Sequence, residues 1–100
     1  MIRHTVAFRL KHPAGSESEA TFLADGQRVL TAIPGVRNFE ALEQISAKNS
    51  FRHGFSMEFD GQAEYESYNN HPDHVAFVRD RWIPEIDEFL EIDYVAYLPG

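Results

Sequence analysis

Hydrophobic and polar residues alternate along IRHTVAFRL, residues 2–10, with Ile2, His4, Val6, Phe8 and Leu10 facing one way and Arg3, Thr5, Ala7 and Arg9 the other. That two-residue period predicts a strand with a histidine on its apolar side. After the loop KHPAGSES, Ser16 and Glu19 stand three apart as a capping box, and Leu23, Gly26, Leu30 and Ile33 recur at helical spacing with Phe22 and Val29 beside them. A helix over Glu17–Ala32 follows, ended by Pro34-Gly35, with Gly26 allowing close approach to the sheet or a neighbouring helix. Val36–Ala47 reads as extended, with Phe39, Ala41 and Ile45 on one face and Leu42 on the other. The strictest alternation is Phe51–Asp60, where Phe51, His53, Phe55, Met57 and Phe59 share a face and place a second histidine among apolar residues.

Gly61–Tyr68 reads as a short helix reaching the Asn69-Asn70 pair, and Pro72 suits the first position of the next, where its missing N–H is not needed. Asn69, Asn70 and His71 would form the connecting turn. His74, Val78 and Trp82 then recur four apart, flanked by Val75 and Ile86, so His74 joins an inward apolar stripe. Its place in the first helical turn disfavours a second proton on the ring. Pro84 interrupts the helix, a further turn or short helix is expected through Leu90, and Glu91–Leu98 alternates Ile92, Tyr94, Ala96 and Leu98 with Asp93, Val95 and Tyr97 as the last strand. The order β, α, β, β, α, β predicts an α+β, ferredoxin-like protomer: a four-stranded antiparallel sheet with helices on one face. Residues 1–100 read as a single domain. The other sheet face, carrying Ala7, Leu42, Val95 and Tyr97, needs a cover, and a homodimer pairing two such faces into a barrel supplies it.

Composition narrows the function more than the fold. Nine basic against sixteen acidic residues give a net charge of −7 with no basic cluster, which argues against nucleic-acid binding. The chain has no cysteine, so disulfides, thiolate metal sites and cysteine nucleophiles are excluded and a cytoplasmic setting is expected. No apolar run approaches the ~20 residues of a membrane span, and no membrane partner is expected.

What remains for chemistry is the stretch YESYNNHPDHVAFVRDRW, residues 65–82. Tyr68 lies six residues before His74 across the proline turn, and a phenol beside a neutral imidazole is an acid and base pair. The competing reading is that such histidines and tyrosines are packed core residues with one hydrogen bond each. His71 and His74 at i, i+3 are a weak metal pair, since His71 belongs to the turn, and no metal or cofactor is expected.

The strand with His4, Pro34-Gly35-Val36, the run Tyr68-Asn-Asn-His71-Pro72-Asp-His74-Val75, Trp82 and the terminal Asp93-Tyr94 together resemble the stress-responsive dimeric α/β-barrel (Dabb) family. The resemblance implies a cavity between sheet and helices in each protomer. It also implies functional variety: one plant member is a cofactor-free polyketide cyclase, and its working tyrosine and histidine correspond to Tyr68 and His74, with His4 near the pocket. Three functions follow as expectations. The first is a small-molecule-binding protein whose pocket uses His4, His53, Tyr68 and His74; the second is a lyase, cyclase or isomerase with Tyr68 and His74 catalytic; the third is a structural stress protein without a ligand. Asn69, Asn70 and Asp73 are expected to make the pocket entrance polar.

Overall fold

In the computed structural model, which describes residues 1–99, strand β1 (Ile2–Leu10) leads to helix α1 (Glu17–Thr31), β2 (Arg37–Glu43) and β3 (His53–Phe59). Then come α2 (Gln62–Asn70), α3 (Pro72–Phe77), a π-helical turn at Val78–Trp82, the single turn α4 (Ile83–Glu85) and β4 (Ile86–Tyr94). The strands form one antiparallel sheet in the order β2-β3-β1-β4, the ferredoxin-like arrangement. The long central strands β1 and β3 carry the core. His4, Val6, Phe8 and Leu10 of the first and His53, Phe55, Met57 and Phe59 of the second are all buried, under Phe22, Leu30 and Ile33 from α1 and its end and Tyr68 and Phe77 from α2 and α3. Each such apolar side chain contributes about 1.5–3 kcal/mol by leaving water.

Local signals explain where α1 starts and how it seats. The Glu19 N–H donates to Ser16 Oγ at 3.2 Å, while the Glu19 carboxylate accepts from the Gly15 N–H at 3.0 Å, so two free amides at the helix start are satisfied. Gly26 faces the sheet so closely that a Cβ there would stand 2.9 Å from the Phe55 ring. β2 is shorter than its sequence pattern, ending at Glu43, and its register slips between Arg37 and Glu40 around Asn38, whose φ is 50°.

The C-terminal third departs most from the sequence pattern. Pro84 has no N–H with which to continue the helical ladder, and the backbone widens just before it, the Ile83 N–H reaching back to the Val78 carbonyl. Three more helical residues follow. The Lys11 N–H then takes the Glu85 carbonyl at 2.8 Å and Leu10 pairs with Ile86, so the nine residues of β1 recruit a nine-residue partner from Ile86 onward. Residues 86–90 are therefore extended instead of helical, and 95–98, expected as strand, lie beyond it. The phase is also the reverse of the expected one. Phe89, Glu91 and Asp93 pair with Phe8, Val6 and His4 and share their helix-facing side, while Leu90 and Ile92 join Ala7 and Leu42 on the outer face. Leu90 and Ile92 thus occupy the outer-face role expected of Val95 and Tyr97. In the helical segment Val75 is 48% exposed and Phe77 is the buried residue, because the inward stripe starts one residue off the expected flank.

Candidate functional site

A cavity of about 370 Å³ opens between the inner sheet face and the helical segment from Tyr68 to Ile83. Its floor comes from His4 and Val6 of β1, Phe55 and Met57 of β3, and Phe89 and Glu91 of β4; its roof comes from Tyr68, His74, Phe77, Val78, Trp82 and Ile83, with Leu30 of α1 at the side. The volume lies within the range of small-molecule sites. Polar groups are gathered by His4, Tyr68, His74 and Glu91, and the remaining wall is almost wholly apolar and aromatic. Asn69, Asn70 and Asp73, expected at the entrance, do not line it: the first two belong to α2, and His71 alone breaks the helix, at ψ 135°. The His71 Nδ1 accepts from the Asp73 N–H at 3.1 Å, a cap for α3.

His4 sits at the centre of a small network. It is 4% exposed, and its Nδ1 lies 2.6 Å from Asp93 Oδ1, so the ring donates Nδ1–H to a group that can only accept and leaves Nε2 free. Glu91 Oε1 lies 3.7 Å from that Nε2. The Tyr65 hydroxyl donates to Asp93 Oδ2 at 2.7 Å and approaches His4 Nδ1 at 3.0 Å. Burial first, then the hydrogen bond to Asp93 and its charge, push the Tyr65 phenol well above its usual value, so it stays a donor. The network fixes the tautomer and the plane of the His4 ring.

Across the cavity His74 and Tyr68 pack ring to ring, 4.4 Å between centroids. His74 Nδ1 donates to the Asn69 carbonyl at 3.1 Å, which leaves Nε2 with the lone pair. Burial lowers the pKa of this imidazole, only partly offset by the Asn69 bond and Glu91, and His4 lowers it further. The expected neutrality thus has a different cause. The ring's own burial does it, with no need for the end of a six-residue helix. Tyr68 is 2% exposed; burial, then Tyr65 and Glu91, raise its phenol far above the ordinary range. The ring is buried, but the hydroxyl is not among the buried polar atoms left without a partner; it lines the cavity, where it is free to donate.

His4, Tyr68 and His74 are therefore brought together, and His53 is not. His53 pairs with Phe8 where His4 pairs with Met57, so it lies four residues, about 13 Å, along β3 from the cavity's polar end. There its Nε2 meets Glu19 Oε2 at 3.2 Å, an ion contact too poorly aligned to count as a hydrogen bond. Burial pushes the Glu19 carboxyl up, but the Gly15 N–H, His53 and Arg52 outweigh it and hold it below the usual carboxylate value. Among the described residues no set of three His, Cys, Asp or Glu gathers as a metal site.

Three site residues escaped the sequence reading. Tyr65 stands one helical turn before Tyr68 and shares its face, a spacing that was available. Glu91 and Asp93 depended on the phase of β4, which the hydrophobic pattern places in reverse. Trp82, read as core, is half-buried and serves as cavity wall as well.

A ferredoxin-like sheet with a ligand-sized cavity under its helices defines the class. The chain belongs to the Stress Responsive A/B Barrel Domain family, called Dabb, whose model matches residues 2–96. It is similar to a Dabb-family protein of ferredoxin-like fold from Mesorhizobium loti, 60% identical over 96% of each chain with a TM-score of 0.95. It is also similar to a stress-response A/B barrel domain-containing protein of Arabidopsis thaliana, 28% identical over 103 residues. That match covers 100% of this chain but only 39% of the relative's own length. The hydroxynitrile lyase of Passiflora edulis shares the fold at 15% identity, the match covering 99% and 95% of the two chains, with a TM-score of 0.84. Two further ferredoxin-like structures, 21% and 20% identical, are described as dimeric. Among the described residues no helix is long and apolar enough to cross a membrane.

Proposed function

We propose that the protein binds a small, largely apolar molecule in the cavity, with its polar end held by His4, Tyr68 and His74. The observation that carries this reading is the Tyr68 hydroxyl lining a hollow of about 370 Å³ beside the free nitrogen of His74. A ligand that accepts this bond gains about 0.5–1.5 kcal/mol net, as for any hydroxyl that water can reach. A cleft of this size with polar groups converging at one end favours a binding role over a purely structural one. The test is a fragment screen by ligand-observed NMR on the protein and on Val78→Trp, which narrows the hollow from its roof. Hits lost in the variant support the reading, and hits that persist place binding elsewhere.

A second reading rests on the Tyr68–His74 pair. A neutral His74 with its lone pair on Nε2 takes a proton from carbon next to a carbonyl, and Tyr68 hydrogen-bonds the developing enolate oxygen. Lyase, cyclase and isomerase chemistry without a cofactor all fit that pair, and a lyase of the same fold supports the choice of class. If a substrate is turned over, His74→Gln lowers kcat by about a hundredfold or more. An unchanged rate removes His74 from the mechanism.

The working form in this proposal is a homodimer paired through the outer sheet faces, in the cytoplasm, where a chain without cysteine needs no redox protection. Leu42, Leu90 and Ile92 leave 40–50% of their surface bare on that face, a lone four-stranded sheet does not close the barrel of the family's name, and dimeric proteins of this fold lend support. Ile92→Glu should yield monomers by analytical ultracentrifugation; dimers that persist would move the interface elsewhere.

A further inference from the structure

The hydrogen-bonding inventory of the cavity's polar end is lopsided. His74 spends its Nδ1–H on the Asn69 carbonyl and His4 spends its own on Asp93, so both rings leave Nε2 as the free nitrogen. Glu91 adds a carboxylate 3.7 Å from the His4 Nε2. Against these acceptors the lining residues set two neutral donors, the Tyr68 hydroxyl and the Trp82 indole N–H. No Lys or Arg is among the described residues that line the cavity. Even a doubly protonated His4 leaves His4, Asp93 and Glu91 together with a net negative charge. The Glu91 side chain is 56% exposed, so it stands at the mouth, where an arriving ligand meets it first. The wall beyond is aromatic, with Trp82 and Phe89 5.6 Å apart edge to face and Phe77 on the roof.

From this arrangement, and resting on the small-molecule reading above, we infer that Glu91 makes the cavity selective for a donor-bearing cation, a primary ammonium on an apolar or aromatic body. An ammonium has three N–H donors and no acceptor, so it satisfies Glu91 and a free imidazole nitrogen together. Aromatic faces add attraction for a cation. A carboxylate ligand meets a like charge and more acceptors than donors, and a ketone or aldehyde finds only the neutral donors of Tyr68 and Trp82. The chain's formal charge of −7 acts in the same direction at longer range.

The test compares three probes that share a phenylethyl body by isothermal titration calorimetry at neutral pH: 2-phenylethylamine, 2-phenylethanol and 3-phenylpropanoate. The amine should bind about tenfold tighter than the alcohol, and the carboxylate weakest of all. Glu91→Gln should weaken the amine about fivefold and leave the alcohol within about twofold, and Glu91→Lys should bring the carboxylate above the amine. Preference for the carboxylate or alcohol in the native protein, or an amine affinity that Glu91→Gln does not move, overturns the inference while leaving a small-molecule site in place. Failure of all three probes to bind overturns the small-molecule reading and this inference with it.

Discussion

His4 and His53 lie on the same face of the same sheet, both more than nine-tenths buried and both beside a carboxylate, yet they face different surroundings. At the His53 end α1 closes down: Glu19 reaches the ring, Phe8 packs 5.9 Å away, and His53 is not part of the cavity lining. At the His4 end the roof is the short helical segment after Pro72, broken by a π turn, and it stands off the sheet. Strand alternation buries a histidine equally at either end. What decides whether the ring is cement or reagent is the helix above it.

The comparison can be broken by unequal losses. His53→Ala strands the buried Glu19 charge and should cost about 3 kcal/mol in urea unfolding, with ligand affinity in the cavity unchanged; a loss of binding instead would tie the two ends together. Asp93→Ala frees the His4 ring on the cavity side and should weaken an apolar ligand about tenfold, roughly 1.4 kcal/mol, while unfolding shifts by less than that amount. Ser16→Ala removes the cap of α1 at the closed end and should cost about 1 kcal/mol with no effect on binding.

Acid offers the smallest and sharpest separation. Glu19 is held below its ordinary value in the fold, so its contribution is complete above the unfolded carboxylate value of 4.5 and disappears as pH falls through the lower folded value. His74 is also depressed, from an ordinary 6.5, so the unfolded chain takes up its proton first and stability at the cavity end begins to fall just below 6.5. Unfolding midpoints measured across pH should therefore show two separate acid steps. Gln at position 74 should erase the upper one only, and an upper step that survives would assign it to another group.

Much of the frame was legible because local and long-range preferences agree in it. β1 and β3 alternate without a break, Ser16 and Pro34-Gly35 bracket α1, and Pro72 opens α3. Even the tight seat of Gly26 was readable from its place in the apolar stripe. The region after Pro84 was not, because two phases of alternation are open to FLEIDYVAYL, one hiding Ile92 and Tyr94 and the other Phe89, Glu91 and Asp93. Hydrophobicity favours the first. The structure takes the second, since His4 and Tyr65 supply hydrogen bonds that keep an inward Asp93 satisfied and the outer side is where apolar residues collect. The same ambiguity hid the acidic half of the candidate site, while His53 looked equivalent to His4 because strand alternation alone does not show which helix lies above a residue.

The central claim is that one end of this sheet face is a cavity open to a ligand and the other is packed interior. Imidazole resonances of the histidines, followed by NMR during titration with 2-phenylethylamine, address it most directly. The account predicts that His4 and His74 move together and saturably while His53 stays fixed. Resonances of His53 that move with them, or a His4 and His74 that stay still while ligand binds, would contradict it.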